Sequence, residues 1–177
     1  MGITQNVFLI GPMGAGKSAV GRQLSRMLRM QFLDSDAEIE DRTGVDIPFI
    51  FEKEGEAGFR KRERTVIDEL SCRERVVLAT GGGAVLDPDN RAALRSRGIV
   101  IYLHASVPQQ LDRTRGTRGR PLLHTPDPGV RLAELMQARE PIYRDIADHV
   151  IDTDGRRVPD VARQILQYLE QEPAQDG

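Results

Sequence analysis

The stretch "GPMGAGKS", residues 11–18, follows the apolar run "VFLI" at residues 7–10 and precedes a segment with helical spacing of apolar residues. It completes the P-loop pattern G-x-x-x-x-G-K-[ST] in the strand–loop–helix context that the pattern requires. Glycines let backbone N–H groups turn inward around an anion, and the following helix adds its positive amino-terminal end. The pattern therefore predicts a nucleoside triphosphate site, with Lys17 reaching the β- and γ-phosphates and Ser18 binding magnesium.

Short apolar runs recur along the chain, and segments of helical spacing separate them. We expect five strands, at residues 7–10, 31–33, 76–79, 99–103 and 149–151. Runs this short and apolar throughout are typical of parallel strands covered on both faces. The predicted fold class is α/β, with three layers (α/β/α) around a central five-stranded parallel sheet. Ligands of such sheets bind at the carboxyl ends of the strands, where the P-loop also lies.

Prolines mark two of the predicted helix boundaries. The helical pattern after the second strand breaks at Gly44 and Pro48, so a long helix is expected only over about residues 57–71. A later helix, over about residues 130–139, is expected to end before Pro141 because proline lacks the N–H that a helix interior uses.

Composition limits the classes of function. The net charge of −2, without a basic stripe interleaved with aromatic residues, argues against nucleic-acid binding. No apolar run approaches the roughly 20 residues of a membrane span. The single cysteine, Cys72, excludes an internal disulfide and suits a cytoplasmic protein. We expect one domain over residues 1–177, monomeric, with a disordered tail over 171–177.

Two acids follow the second predicted strand, at the edge of the sheet where the P-loop lies. On an extended segment Asp34 and Asp36 point the same way, with Ser35 opposite. One acid can then support magnesium while the other meets a hydroxyl of an acceptor. Capping of the next helix is a second interpretation, chiefly for Asp36, but it does not by itself account for both acids.

A triple glycine and two arginines are further candidates. Gly81, Gly82 and Gly83 exceed what a simple turn needs, so they form either a backbone surface that a small ligand approaches closely or a flexible loop. Arg60 is expected near a helix start, where a cation opposes the dipole, so Glu63 or a bound carboxylate must compensate it. Arg139 is expected in a last helical turn, where a cation stabilises the helix end without any ligand.

Beyond these residue-level observations, the chain resembles the shikimate kinase family over nearly its whole length. The motifs that carry the resemblance are "GPMGAGKS" at 11–18, "FLDSD" at 32–36, "FRKRE" at 59–63, "TGGG" at 80–83, "RGRPLL" at 118–123 and "REPIY" at 139–143. The resemblance implies a P-loop kinase fold with substrate-binding helices, here about residues 36–73, and a mobile lid. It implies transfer of the γ-phosphoryl group of ATP to the 3-hydroxyl of shikimate with Mg²⁺, a step of aromatic amino-acid biosynthesis.

The same resemblance assigns roles to individual residues. It implies catalytic roles for Lys17, Asp36 and Arg120, and nucleotide contacts from Gly14, Ala15, Gly16, Lys17, Ser18, Ala19, Arg113, Arg120 and Arg156. It implies shikimate contacts from Asp36, Arg60, Gly81, Gly82, Gly83 and Arg139, with the arginines on the carboxylate. It places Ser18 at the magnesium and Asp34 near it through water.

The segment "RGTRGRPLLHT", residues 115–125, is by composition either a mobile lid or a disordered loop. The resemblance favours a lid whose Arg120 closes onto the phosphates, while Arg113 flanks the adenine. A closing lid serves a kinase because water otherwise accepts the γ-phosphoryl group. His104 and His124 are not expected to act as bases, because no other polar residue converges on them.

Two other functions fit part of the pattern. Paired arginines suit any carboxylate, so a kinase for another hydroxy acid such as gluconate stays open on spacing alone. A nucleotide-dependent switch with a protein partner would use the P-loop and the mobile segment, but it leaves the triple glycine and the arginine pair without a role. Assays of ADP release with both acceptors separate the first alternative, and hydrolysis without any acceptor identifies the second.

Overall fold

The computed structural model describes residues 2–115 and 124–172. Most of the expected lid, including Arg120, and the end of the expected disordered tail lie outside these residues. The strands are β1 (Asn6–Ile10), β2 (Gln31–Asp34), β3 (Val76–Ala79), β4 (Gly98–His104) and β5 (His149–Asp152). The helices are α1 (Lys17–Leu28), α2 (Ser35–Thr43), α3 (Ile47–Ser71), α4 (Pro88–Arg97), α5 (Val107–Thr114), α6 (Pro128–Ile146) and α7 (Val158–Gln171), with a 3₁₀ turn at Ala84–Leu86.

The five strands form one parallel sheet in the order β2-β3-β1-β4-β5. Leu9 of β1 is in register with Ala79 of β3, so these two strands end almost level, whereas β4 continues beyond the end of β1 to His104. Since the strands are parallel, the segments that follow β1, β2 and β3 leave the same edge of the sheet. This confirms the predicted α/β class and places the P-loop, the two acids and the triple glycine together.

Both faces of the sheet are covered by helices, which confirms the three-layer arrangement. Phe8 and Ile10 point into one core with residues of α3, α4 and α6, whereas Val7 and Leu9 point into a second core with α1 and α7. This alternation follows from the two-residue period of a strand. Each of these four side chains is fully buried, which explains why β1 is apolar throughout.

Helix α3 is longer than predicted and is interrupted once. Pro48 lies in its first turn, where the missing N–H costs nothing, and Asp46 caps the helix by accepting from Phe49 N at 3.0 Å. Gly44 and Pro48 therefore mark a helix boundary as expected, but the helix begins at Ile47 instead of at about residue 57. Gly55 has φ 72° and ψ 179°, which separates a first segment from the helix predicted over 57–71.

Helix α6 continues through Pro141 to Ile146, so the predicted end before Pro141 is wrong. The turns after the proline bury Tyr143 completely and leave Ile146 only 3% exposed. A proline inside a helix costs about 3 kcal/mol, and burying two large side chains contributes about 1.5–3 kcal/mol each. Tertiary packing therefore offsets the local preference, and Arg139 lies in the middle of a helix rather than at its end.

Candidate functional site

The P-loop residues between β1 and α1 adopt backbone angles that only glycine takes readily. Gly14 and Gly16 have φ of 81° and 85°, and Gly16 is the N-cap of α1 without a capping side chain. The free N–H groups of the first turn of α1 therefore remain available to an anion. Gly11 packs so tightly that a Cβ there would lie 2.4 Å from Leu103 O.

Lys17 is folded back onto the P-loop. Its Nζ donates to Gly11 O at 2.6 Å and to Pro12 O at 2.8 Å, and the side chain is 9% exposed. The ammonium group is thereby held beside the anion site that the loop encloses. A phosphate oxygen that enters the loop can replace a carbonyl as its partner without moving the charge far.

Ser18 and Asp34 form a direct contact across the mouth of the loop. Ser18 Oγ lies 2.5 Å from Asp34 Oδ2, and Asp34 Oδ1 accepts from Asp36 N and Ala37 N at 3.0 and 3.1 Å. Asp34, not Asp36, is thus the N-cap of α2. The expected extended geometry ends at Asp34, because Ser35 and Asp36 already belong to the helix.

No cluster of three His, Cys, Asp or Glu side chains suited to a metal ion occurs in the parts of the chain that the structure describes. Ser18 and Asp34 nevertheless supply two oxygen donors at one point. Magnesium is commonly bound through one or two carboxylates together with substrate phosphates and water. The donor set therefore fits a magnesium ion that arrives with the nucleotide.

The glycine turn, residues 81–83, is surrounded by the charged side chains of the site. A Cβ on Gly81 would lie 2.8 Å from Asp36 Oδ1 and 2.9 Å from Glu63 Oε2. A Cβ on Gly83 would lie 2.3 Å from Arg60 Nη2. The glycines are needed because the protein's own carboxylates and guanidinium approach the backbone closely. From the sequence alone, this close approach could not be distinguished from close approach by a ligand.

Arg60 and Glu63 form a buried ion pair on the second segment of α3. Arg60 Nη1 donates to Glu63 Oε1 at 2.9 Å, and Nη2 donates to Glu56 Oε1 at 3.3 Å. This confirms that Glu63 compensates the cation. Glu63 is 1% exposed, and burial, opposed by Arg60 and reinforced by Asp36, raises its pKa to about 7.

Arg139 lies on α6 next to this pair and is 4% exposed. Within residues 2–115 and 124–172, no carboxylate forms an ion pair with it. Burial, together with the neighbouring charge of Arg60, lowers the pKa of Arg139. Glu56 and Glu63 act on it electrostatically without forming an ion pair. A buried guanidinium without a direct anionic contact is costly, so this position favours a bound anion. The helix-end explanation for Arg139 is wrong, because α6 extends two turns beyond it.

The P-loop and the glycine turn share one cavity of about 450 Å³. Its lining includes Gly14, Gly16, Lys17, Ser18, Ala19, Asp34, Asp36, Gly81, Gly82 and Arg113. Arg60 and Arg139 adjoin it through the glycine turn: a Cβ on Gly82 would lie 3.5 Å from Arg139 Nη1. The phosphate cradle and the arginine pair thus lie on either side of a single polar space.

Arg113 contacts the P-loop, whereas Arg156 is bonded within the segment around the start of α7. Arg113 Nη1 donates to Gly14 O at 2.9 Å and to Thr153 Oγ1 at 3.2 Å, joining the P-loop to the loop after β5. Arg156 is bonded to Gln164, to Asp152 O at 3.3 Å and to Asp160 O at 3.4 Å. Arg113 is placed beside the nucleotide site, whereas Arg156 must release bonds at the start of α7 to reach it.

Two residues of the site were not singled out from the sequence. Ser35 Oγ accepts from Gly81 N at 3.2 Å, and Tyr143 Oη donates to Gly82 O at 2.5 Å. Ser35 was expected to point away from the site. Tyr143 lies four residues after Arg139 inside "REPIY", which is the spacing of one helical face, but that signal is lost once the helix is ended at Pro141.

The fold and the cavity define a P-loop kinase that acts on a small molecule. The family model described as shikimate kinase matches residues 13–170. A shikimate kinase of Halorhodospira halophila is 56% identical over 168 residues, which cover 95% of this chain and 95% of that protein. The chain belongs to the shikimate kinase family.

Solved structures agree with this assignment. A shikimate kinase from Acinetobacter baumannii, in complex with shikimate, superposes with a TM-score of 0.93 at 50% sequence identity. The superposition covers 94% of this chain and 93% of that chain. A gluconokinase from Sinorhizobium meliloti superposes with a TM-score of 0.60 at 18% identity, covering 97% and 94%, which is a likeness of fold alone. The protein is accordingly an ATP-dependent phosphotransferase of the shikimate kinase type, not a switch.

Proposed function

We propose that the protein transfers the γ-phosphoryl group of ATP to the 3-hydroxyl of shikimate, with the triphosphate in the P-loop and shikimate against the glycine turn. The observation that carries this assignment is Arg139, a buried guanidinium beside Arg60 that forms no ion pair within the described residues, where Glu56 and Glu63 act on it only at longer range. The shikimate carboxylate supplies the missing charge. Gly81, Gly82 and Gly83 then face the ring, and Asp36 faces its hydroxyls.

At the nucleotide end, the proposal assigns phosphate contacts to Gly14, Ala15, Gly16, Lys17, Ser18 and Ala19, and adenine contacts to Arg113 and Arg156. The outward N–H groups of the first turn of α1 and the adjacent Nζ of Lys17 support the phosphate contacts. The adenine contact proposed for Arg113 is supported by its bonds to Gly14 O in the P-loop and to Thr153 O after β5. Arg120 would add a further cation from outside the described residues.

Magnesium forms part of the proposal, with Ser18 as a ligand and Asp34 nearby through water. The 2.5 Å contact between their oxygens supports a shared position. Bound there with the β- and γ-phosphates, the ion would neutralise charge on the transferring group. Asp34 would keep its cap of α2 through the other carboxylate oxygen.

Phosphoryl transfer depends on positioning and on charge neutralisation more than on covalent help from the protein. The shikimate oxygen forms a bond to the γ-phosphorus while the bond to the β–γ bridging oxygen breaks, and ADP leaves. Asp36, beside the glycine turn, orients the hydroxyl and takes its proton late in the step. Lys17 and Arg120 stabilise the charge that spreads over the transferred group.

The remaining parts of the proposal concern domain number, oligomeric state and cellular location. We take it as a single domain that is monomeric and cytoplasmic, and the exposed single thiol of Cys72 supports a reducing compartment. None of the helices within the described ranges is long and apolar enough to cross a bilayer.

The acceptor is tested by coupled ADP release with shikimate, gluconate and other hydroxy acids, each with ATP and Mg²⁺. We expect turnover with shikimate and only background with gluconate. Calorimetry with a non-hydrolysable nucleotide adds a binding measurement that does not need turnover. Binding of nucleotide without binding of shikimate, by well-folded protein, would contradict the proposal.

A further inference from the structure

The hydroxyl of Tyr143 donates to the carbonyl of Gly82 in the glycine turn. Tyr143 is fully buried, and its Oη lies 2.5 Å from Gly82 O. The Tyr143 ring is thus inside the core, whereas Gly82 is half-buried and lines the cavity, so the hydrogen bond joins the core to the cavity wall. Without this donor, the Gly82 carbonyl is no longer held in one orientation at the cavity wall.

Gly82 is also the point where the two halves of the site meet. A Cβ there would lie 3.4 Å from Met13 N and 3.6 Å from Gly11 O of the P-loop, and 3.5 Å from Arg139 Nη1. Tyr143 lies one helical turn after Arg139, lines the same small cavity, and interacts electrostatically with the guanidinium. A single phenol thus contacts both the glycine turn and the guanidinium proposed to hold the acceptor.

We infer that Tyr143 is a positioning residue for the acceptor: its hydroxyl fixes the Gly82 carbonyl and Arg139 relative to each other and to the P-loop. This inference rests on the proposed function of Arg139. The contact between Tyr143 and Gly82 depends on the continuation of α6 through Pro141, because Tyr143 lies in the part of the helix after the proline.

Tyr102 provides a matched control. Its ring packs on that of Tyr143 with centroids 5.0 Å apart, it is equally buried, and its hydroxyl donates to Glu140, which also pairs with Arg144. Tyr102 therefore has the same size and burial, but its hydroxyl donates to a carboxylate instead of a backbone carbonyl and does not contact the glycine turn. Tyr102→Phe measures what loss of a buried phenol does to the protein in general.

The test compares the full chain with Tyr143→Phe, Tyr102→Phe and Arg139→Ala in steady-state assays with shikimate and ATP. Loss of one buried hydrogen bond at the acceptor predicts a rise of about fivefold in the KM for shikimate in Tyr143→Phe, with the KM for ATP within about twofold of native. Tyr102→Phe should keep the native KM for shikimate. An equal KM for shikimate in the two tyrosine variants would overturn the inference.

Arg139→Ala separates this inference from the proposed function. If Arg139→Ala raises the KM for shikimate and Tyr143→Phe does not, only the positioning role is wrong; if neither does, the proposed carboxylate site is wrong as well. Thermal unfolding reports whether each variant is folded, and the KM for ATP reports whether its nucleotide site is intact. If Tyr143→Phe cannot be purified, fluorotyrosine labelling of the native chain, which has three tyrosines, gives a second measurement by ¹⁹F NMR. The Tyr102→Phe and Tyr168→Phe variants each remove one signal, so the signal that both retain belongs to Tyr143. If that signal does not shift with saturating shikimate, the inference is wrong.

Discussion

The hydroxyl oxygen of Ser18 lies 2.5 Å from Oδ2 of Asp34, joining the first turn of α1 to the end of β2. The other carboxylate oxygen of Asp34 caps α2 by accepting from Asp36 N and Ala37 N. One side chain therefore supports the fold and faces the proposed magnesium position. These two roles can be separated, because asparagine caps a helix about as well as aspartate but carries no charge.

Asp34→Asn is expected to keep the stability of the protein within about 1 kcal/mol and to raise the Mg²⁺ concentration for half-maximal activity about tenfold or more. Thermal unfolding and ADP release against Mg²⁺ concentration measure the two effects. Asp46→Asn is the control, since Asp46 caps α3 in the same way. Native Mg²⁺ dependence in Asp34→Asn would rule out a role for Asp34 near the metal.

Arg139→Ala is expected to weaken binding of the acceptor and to leave binding of the nucleotide unchanged. Removing a buried charge that pairs with a ligand typically costs 2 kcal/mol or more, which predicts a rise of about 30-fold or more in the KM for shikimate. Arg144→Ala on the same helix is the control, because Arg144 is 54% exposed and pairs with Glu140. An unchanged KM for shikimate in Arg139→Ala would refute the carboxylate site.

Gly83→Ala places a methyl group where Arg60 Nη2 would be 2.3 Å away. Since the obstacle is the end of a long side chain, the guanidinium can move aside, and we expect a folded protein with a raised KM for shikimate and little change in the KM for ATP. Gly129→Ala is the control, because its nearest neighbours are 3.5 Å and 3.7 Å away. Equal kinetics of these two variants would show that the position of Arg60 does not matter for the acceptor.

Glu63→Gln is expected to change how stability depends on pH. The pKa of Glu63 rises from 4.5 to about 7 on folding, so the folded state holds this proton more tightly than the unfolded state. Its contribution to stability is fully present below pH 4.5 and is lost as the pH rises through 7. Native protein should therefore lose up to about 3 kcal/mol relative to Glu63→Gln across that interval.

Denaturant unfolding at several pH values measures this difference for native protein and Glu63→Gln. Glu69→Gln on the same helix is the control, since Glu69 is 54% exposed and pairs with Arg42. Parallel stability curves for native protein and Glu63→Gln between pH 4.5 and 7 would mean that Glu63 is ionised throughout that interval.

Much of the fold could be predicted because its signals are local. All five strands fall on the predicted apolar runs within about two residues, and the P-loop lies between β1 and α1 as the motif requires. Where local signals mislead, a distant contact decides. Pro141 predicts a helix end from its own chemistry, but the burial of Tyr143 and Ile146 extends the helix.

In the candidate site, too, the residues that local signals define could be predicted and the contacts between distant segments could not. Residue types at the sheet edge follow from the order of strands, so Lys17, Ser18, Asp34 and the glycines could be named in advance. Their partners could not. Asp34 rather than Asp36 caps α2, and the charged neighbours of the glycine turn come from α2, α3 and α6, all well separated in the chain from residues 81–83.

The sequence by itself determined the parallel sheet, the phosphate cradle and the residue types that meet a nucleotide, because each depends on spacing within a few residues. Only the tertiary structure decided that Arg139 is buried in mid-helix and that Tyr143 reaches Gly82. Tyr143 and Gly82 are 61 residues apart, and their contact exists only after the helices pack on the sheet.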